Sequence, residues 1–355
     1  MVTGAFAGGR AGPHDLWTTR YRQHGRRNHP DHGRGLHVDL KTIRAKFRGA
    51  MLGGAIGDAL SAPAVTPGEI SSDHPGRRGL LRYTGDTQMT LHVAQSLIEC
   101  RGFDGAHMAA ALAGGFAAEP WRGYRDGPSA LLWRLGQALS SEKVGDDHAE
   151  QTSFGGDIPA VRVAPVALFT CPRLPETAWL SRQVALLTDT APSSLDGAIL
   201  QTCALTLLLQ VSPDASPDVP RLLGMLRTPL HGSSLTEELD RLGRRLYSGR
   251  QPDRLVGDTE GAGEDPVTTA LLSFFGNSRS FGDVVTNAIG LGGTTAPTGT
   301  LAGALAGAYL GEERIPSSWR DHVDGAARLR DLADDLLDLA GHGISVRSVR
   351  RLGGR

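Results

Sequence analysis

Phe47-Arg48-Gly49-Ala50-Met51-Leu52-Gly53-Gly54-Ala55-Ile56-Gly57-Asp58-Ala59-Leu60 is the stretch that decides the fold. Asp39 stands upstream as an N-cap, and Ile43, Phe47, Ala50 and Met51 recur on one helical face. Glycine inside a helix costs about 1 kcal/mol relative to alanine. Gly53, Gly54 and Gly57 therefore make sense where a second backbone must come close. The stretch predicts a central, tightly packed helix. Asp58 interrupts an apolar run and needs a partner if it is buried.

Working outward, Tyr83-Thr84-Gly85-Asp86-Thr87-Gln88-Met89 precedes Leu91, Ala94, Leu97 and Ile98, a single apolar stripe at helical spacing. Thr84, Asp86 and Thr87 thus fall at a helix start. Their oxygens can cap backbone N–H groups or coordinate a hard cation. Asp86 reads first as the N-cap, and Thr84 and Thr87 as cap and turn hydroxyls.

Further helices are expected over 106–117 and 130–139, with a loop at 121–128 and a polar, exposed stretch at 142–156. Pro159 opens another element, and a helix ends at Leu186-Leu187-Thr188-Asp189. Ser193 or Ser194 is expected to cap a helix that is apolar on most faces, which marks it as buried. Ser234 and Glu237 form a capping-box pattern, 251–266 reads as loop, and Ser280 with Asp283 opens a helix. A Gly/Ala helix over 300–310 carries Gly303 and Gly307, four residues apart and in step with Gly299, a pattern for close packing in a core. The last helix carries Leu329, Leu332, Leu336 and Leu339 and stops at Gly341. Strand-type alternation is lacking, so the expected fold class is all-α, a compact single-domain multi-helix bundle.

Three domain-level segments follow. Residues 1–37 form a basic tail rich in Gly, Arg and His that is expected to be disordered; 38–345 form the helical domain; 346–355 form a basic C-terminal tail. The formal charge of -1 argues against nucleic acid as a partner of the whole chain. The three cysteines have neither metal-type spacing nor a disulfide framework, which points to a cytoplasmic protein. No membrane-spanning run is expected. The oligomeric state is not legible.

Four stretches, in order, resemble the ADP-ribosylglycohydrolase family, which includes the dinitrogenase-reductase-activating glycohydrolases. They are the 47–60 stretch; Tyr83 to Met89; Val161-Arg162-Val163-Ala164-Pro165 with Leu187-Thr188; and Leu291-Gly292-Gly293 with the 301–308 run, Ile315-Pro316 and Trp319. The resemblance implies an all-α bundle that removes ADP-ribose from protein side chains or related molecules, using two Mg²⁺ ions. It implies ADP-ribose or an ADP-ribosylated protein as partner.

The family's metal motifs are altered. Its Thr/Ser-Asp-Asp-Thr reads Thr84-Gly85-Asp86-Thr87, and its Gly-Gly-Asp-Thr-Asp-Thr reads Gly292-Gly293-Thr294-Thr295-Ala296-Pro297. A family glutamate falls on Val65, Leu-Thr-His reads Leu187-Thr188-Asp189, and Gly-Asn-Gly reads Gly156-Asp157-Ile158. Paired Mg²⁺ ions need several carboxylates to offset their charge. Thr84, Asp86 and Thr294 are left as residual, weak metal ligands, enough for one loosely held ion or none. Gly156, Asp157, Asp189, Gly292 and Gly293 are the candidate ligand-binding residues, and the Gly292–Gly293 amides are placed to receive a phosphate or ribose oxygen. No catalytic residue is assigned. Arg162, in an apolar run, reads as a buried structural ion-pair member with Asp157 or Asp189. The expectation is a family member with lost or strongly reduced hydrolysis that retains a cleft for ADP-ribose or a related nucleotide. The alternatives are an active hydrolase with one metal or none, and a non-enzymatic helical scaffold.

Overall fold

The computed structural model describes residues 39–62, 80–140, 158–230, 232–247, 265–291, 295–340 and 345–346. The expected N-terminal tail and nearly all of the expected C-terminal tail lie outside these residues. The described helices, in chain order, are α1 (Leu40–Ser61), α2 (Gly85–Cys100), α3 (Gly105–Ala118), α4 (Asp126–Ser140), α5 (Ile158–Val161), α6 (Ala164–Thr170), α7 (Leu174–Leu186), α8 (Pro192–Leu209), α9 (Val219–Arg227) and α10 (Leu235–Leu246). They continue with α11 (Pro266–Asn277), α12 (Phe281–Gly290), α13 (Thr295–Leu310), α14 (Ser317–Arg320) and α15 (Ala326–Ala340). Among the described residues the only sheet is a two-residue parallel pairing of Gly102–Phe103 with Ser345–Val346. The fold is all-α.

The centre is the pair α1 and α13. Asp39 caps α1, its carboxylate accepting from the Thr42 N–H at 3.0 Å and the Thr42 hydroxyl at 2.8 Å. From Ala45 to Ser61 every residue of α1 except Arg48 is buried. Gly49 faces Gly307, Gly53 faces Gly303 and Gly57 faces Gly299. Each step of four up α1 meets a step of four down α13, so the helices run antiparallel in register. A Cβ at any of these six positions would fall inside contact distance of the facing helix. The two backbones touch, which is why the interface tolerates no side chain.

Around this pair, α8, α11 and α12 pack on α13, while α15 packs on α1. α8 is buried along nearly its whole length, as its all-round apolar pattern requires. Arg48 joins α1 to the segments after α13: it meets Asp334 at 2.9 and 2.6 Å and Glu312 at 3.1 Å. Cys171 and Cys203 are buried free thiols.

Helix starts differ from expectation where tertiary structure overrides local chemistry. α2 is capped by Thr84, not Asp86. α8 begins at Pro192 with Ala191 at the cap, and the Ala191 N–H is taken by Asp189 at 2.8 Å, so neither Ser193 nor Ser194 is needed. Ser234 sits in helical backbone conformation and makes no cap bond, because a capping hydroxyl needs an extended residue behind it. Ser233 accepts from the Leu235 N–H instead, at 3.1 Å. α11 was not anticipated: Asp265 caps it, accepting from the Thr268 N–H at 2.9 Å, and Pro266 takes the first helical position, where a missing N–H is harmless. α13 starts before 300 because Pro297 lies in its first turn.

Lys46 is fully buried in α1. Its ammonium donates to the Leu208 carbonyl at 2.8 Å and to the Val211 carbonyl, closing the end of α8. Burial pushes its pKa down to about 7. In the unfolded chain a lysine holds its proton to about pH 10. Between these values the unfolded state binds the extra proton, so stability rises with pH. Relative to Lys46→Met, the wild-type unfolding free energy should climb by up to about 1.4 kcal/mol per pH unit across that window and stay flat below it. Urea titrations of both proteins from neutral to alkaline pH check this, and parallel profiles would refute it.

Candidate functional site

The second half of α1 sets Asp58 beneath the first turn of α2. Asp58 is completely buried. One carboxylate oxygen accepts the Thr84 hydroxyl at 2.7 Å; the other accepts the Thr84 N–H at 2.9 Å, the Thr87 N–H at 3.0 Å and the Thr87 hydroxyl at 2.6 Å. Asp58 therefore finds its partners in the Thr84–Thr87 motif. Burial pushes its carboxyl up, while these four donors pull it down. The Thr84 hydroxyl also accepts from the Asp86 N–H at 3.4 Å, the N-cap bond of α2.

Asp86, one position into the first turn, is 4% exposed. Its carboxylate pairs with the guanidinium of Arg125 at 3.4 Å. Arg125 comes from the turn between α3 and α4. Gly123 takes a left-handed conformation there, with φ +70°, and brings the next residues against the start of α2. Tyr124 fills the space that a side chain at position 85 would need: a Cβ on Gly85 would lie 2.5 Å from Cγ of that ring. The ring also packs edge-on against Phe116, with centroids 5.1 Å apart. Arg122 anchors the turn, meeting Glu119 at 2.6 Å and Asp324 at 2.7 Å and stacking over Tyr83 at 4.3 Å.

Arg162 is fully buried. Its guanidinium donates to the Val184 carbonyl at 3.2 Å and to the Thr188 hydroxyl. Burial lowers its pKa to about 10, with the charges of Asp189 and Asp86 acting in the opposite direction. Asp86 and Asp189, far apart in sequence, thus both favour the charged form of one buried guanidinium. Gly156, Asp157, Gly292, Gly293 and Thr294 lie outside the described residues, as does Val65.

Sequence reasoning missed Tyr124 and Arg125, treating 121–128 as a plain loop. The available signal was Trp121-Arg122-Gly123-Tyr124-Arg125, two cations interleaved with two aromatics around a glycine turn.

The described residues do not fit a pair of magnesium ions. Asp58 is filled by four donors, Asp86 carries a guanidinium, and the volume at position 85 holds an aromatic ring. No group of three or more His, Cys, Asp or Glu among the described residues is placed to hold a metal.

The sequence model of ADP-ribosylglycohydrolase matches residues 39–344, most of the chain. The chain belongs to the ADP-ribosylglycohydrolase family. ADP-ribosylhydrolase ARH3 of Mus musculus is 27% identical over 337 residues, covering 82% of this chain and 91% of that protein. The ADP-ribosyl-dinitrogen reductase glycohydrolase of Rhodospirillum rubrum is 26% identical over 328 residues, covering 84% and 98%. A solved structure titled ADP-ribosylglycohydrolase-related protein complex superposes with a TM-score of 0.58 at 26% identity, covering 85% of this chain and all of that one. No described helix is long and apolar enough to cross a membrane.

Proposed function

We propose that this ADP-ribosylglycohydrolase-family chain binds an ADP-ribosyl group or a related nucleotide without carrying out two-magnesium hydrolysis. The observation that supports it most is the joint arrangement of Gly85, Tyr124, Asp86 and Arg125. A divalent ion brought to Asp86 would meet the Arg125 guanidinium. Two like unit charges 4 Å apart repel by about 4 kcal/mol at an effective dielectric constant of 20, and a doubly charged ion roughly doubles that. One carboxylate cannot repay such a cost. The ligand half of the reading draws on the relatives, whose names concern ADP-ribose.

Calorimetric titration of the full chain with ADP-ribose should give the same affinity, within a factor of about two, in EDTA and in MgCl₂; about 0.4 kcal/mol separates the two at that factor. ADP-ribosylated arginine and serine peptides should release no ADP-ribose above background. Absence of binding heat would remove the ligand half. Magnesium-dependent release that Asp86→Ala abolishes would replace the whole reading with an active hydrolase.

A further inference from the structure

A buried carboxylate is stable only beside a cation or a set of donors. Among the described residues the Arg125 guanidinium is in direct contact with Asp86, at 3.4 Å, and the charge of Asp86 in turn favours the charged form of the buried Arg162. Arg125 is not a loosely hanging side chain. Its backbone follows a turn held at three points: the left-handed Gly123, the Tyr124 ring seated on Gly85, and Arg122 paired with Glu119 and Asp324.

We propose that Arg125 is the resident cation of this site, a fixed guanidinium that holds the counter-ion position at Asp86 and keeps divalent ions from it. Arginine suits the role because its charge does not titrate and its planar fork is specific for carboxylates. Gly85 and Tyr124 complete the substitution: the ring that fills the space at Gly85 also fixes where Arg125 starts. The inference deepens the metal-free reading above, but its test contains no nucleotide, so failure of ligand binding and failure of this assignment are separate results.

The test is thermal unfolding of the full chain and of Arg125→Ala, Arg125→Lys, Asp86→Asn and the Arg125→Ala/Asp86→Asn double variant, in millimolar MgCl₂ against NaCl of equal ionic strength. The wild-type midpoint should ignore Mg²⁺. Arg125→Ala should melt several degrees lower and recover part of that loss when Mg²⁺ is added, because Asp86 and the Thr84 hydroxyl then face an accessible ion. The double variant should not respond. Arg125→Lys, which keeps a charge in place, should fold and ignore Mg²⁺ even where Arg125→Ala fails to fold. A saturable Mg²⁺ stabilisation of the wild type that Asp86→Asn removes would overturn the proposal. So would an Arg125→Ala protein that is as stable as wild type or indifferent to Mg²⁺, or an Arg125→Lys protein that Mg²⁺ stabilises.

Discussion

Alanine in place of Gly303 should cost at least about 3 kcal/mol of folding free energy, the upper end of what overpacking a core does. On helix propensity alone the substitution would stabilise, since alanine gains about 1 kcal/mol over glycine in a helix interior. The sign is reversed by geometry. A Cβ at 303 would meet the Gly53 carbonyl oxygen and carbon, atoms of a rigid backbone that cannot rotate away. Relief requires α1 and α13 to separate along their whole contact, which also loosens Gly49 against Gly307 and Gly57 against Gly299. Gly114 in α3 and Gly224 in α9 are the controls, because an added Cβ there meets nothing within 4 Å. Alanine at either should leave stability unchanged or raise it by up to about 1 kcal/mol. Urea denaturation of the three variants separates the cases. A neutral or stabilising Gly303→Ala would mean that the two helices are not in backbone contact.

Gly53 and Gly57, with Gly299, Gly303 and Gly307 spaced by four near the other end of the chain, have one shared physical use, close approach of backbones, and that much of the interface is legible in the sequence. Gly54 carries the same signal yet meets Ala304 only at ordinary contact distance, and the role of Gly49 emerges only from the fold. The pairing of the two runs with each other was not readable, because nothing in a local pattern says which distant helix supplies the second backbone. The same boundary divides the site. That Asp58 needs partners follows from a charge in an apolar run. That those partners are the hydroxyls and amides of Thr84 and Thr87 follows only from the fold. Arg125 was invisible for a sharper reason: it lies 39 residues beyond Asp86, in a turn with no helical period to draw attention to it. The altered motifs point to a site poorer in carboxylates than the family pattern, and nothing in them points to the Arg125 guanidinium beside Asp86. Helix caps failed at Ser193, Ser194 and Ser234 in the same way, since a capping hydroxyl is optional once another residue, such as Asp189 or Ser233, takes up a nearby N–H.

Asp58→Ala should destabilise the protein by about 4 kcal/mol, because it leaves several buried donors unmatched and each costs roughly 1–3 kcal/mol. The donors are the N–H groups and hydroxyls of Thr84 and Thr87. The two amides are the more serious loss. They belong to the opening turn of α2, where no carbonyl of the helix itself can receive them, and the site is closed to water at Asp58, which is 0% exposed. Asp58→Asn keeps the volume and one acceptor but turns an NH₂ toward donors, so it should cost less than alanine yet remain well below wild type. Thr87→Val removes a single hydroxyl while leaving its amide paired, and should cost about 1 kcal/mol. The decisive quantity is the coupling between Asp58→Ala and Thr87→Val in a double-mutant cycle. If the carboxylate organises the turn, the valine costs little once Asp58 is gone, and the two losses fall short of adding. Strict additivity would mean that the first turn of α2 holds its shape without Asp58. The placement of Asp86 against Arg125 would then depend on the Gly123–Tyr124 turn alone, and Asp58→Ala would leave the Mg²⁺ response of every Arg125 variant unchanged.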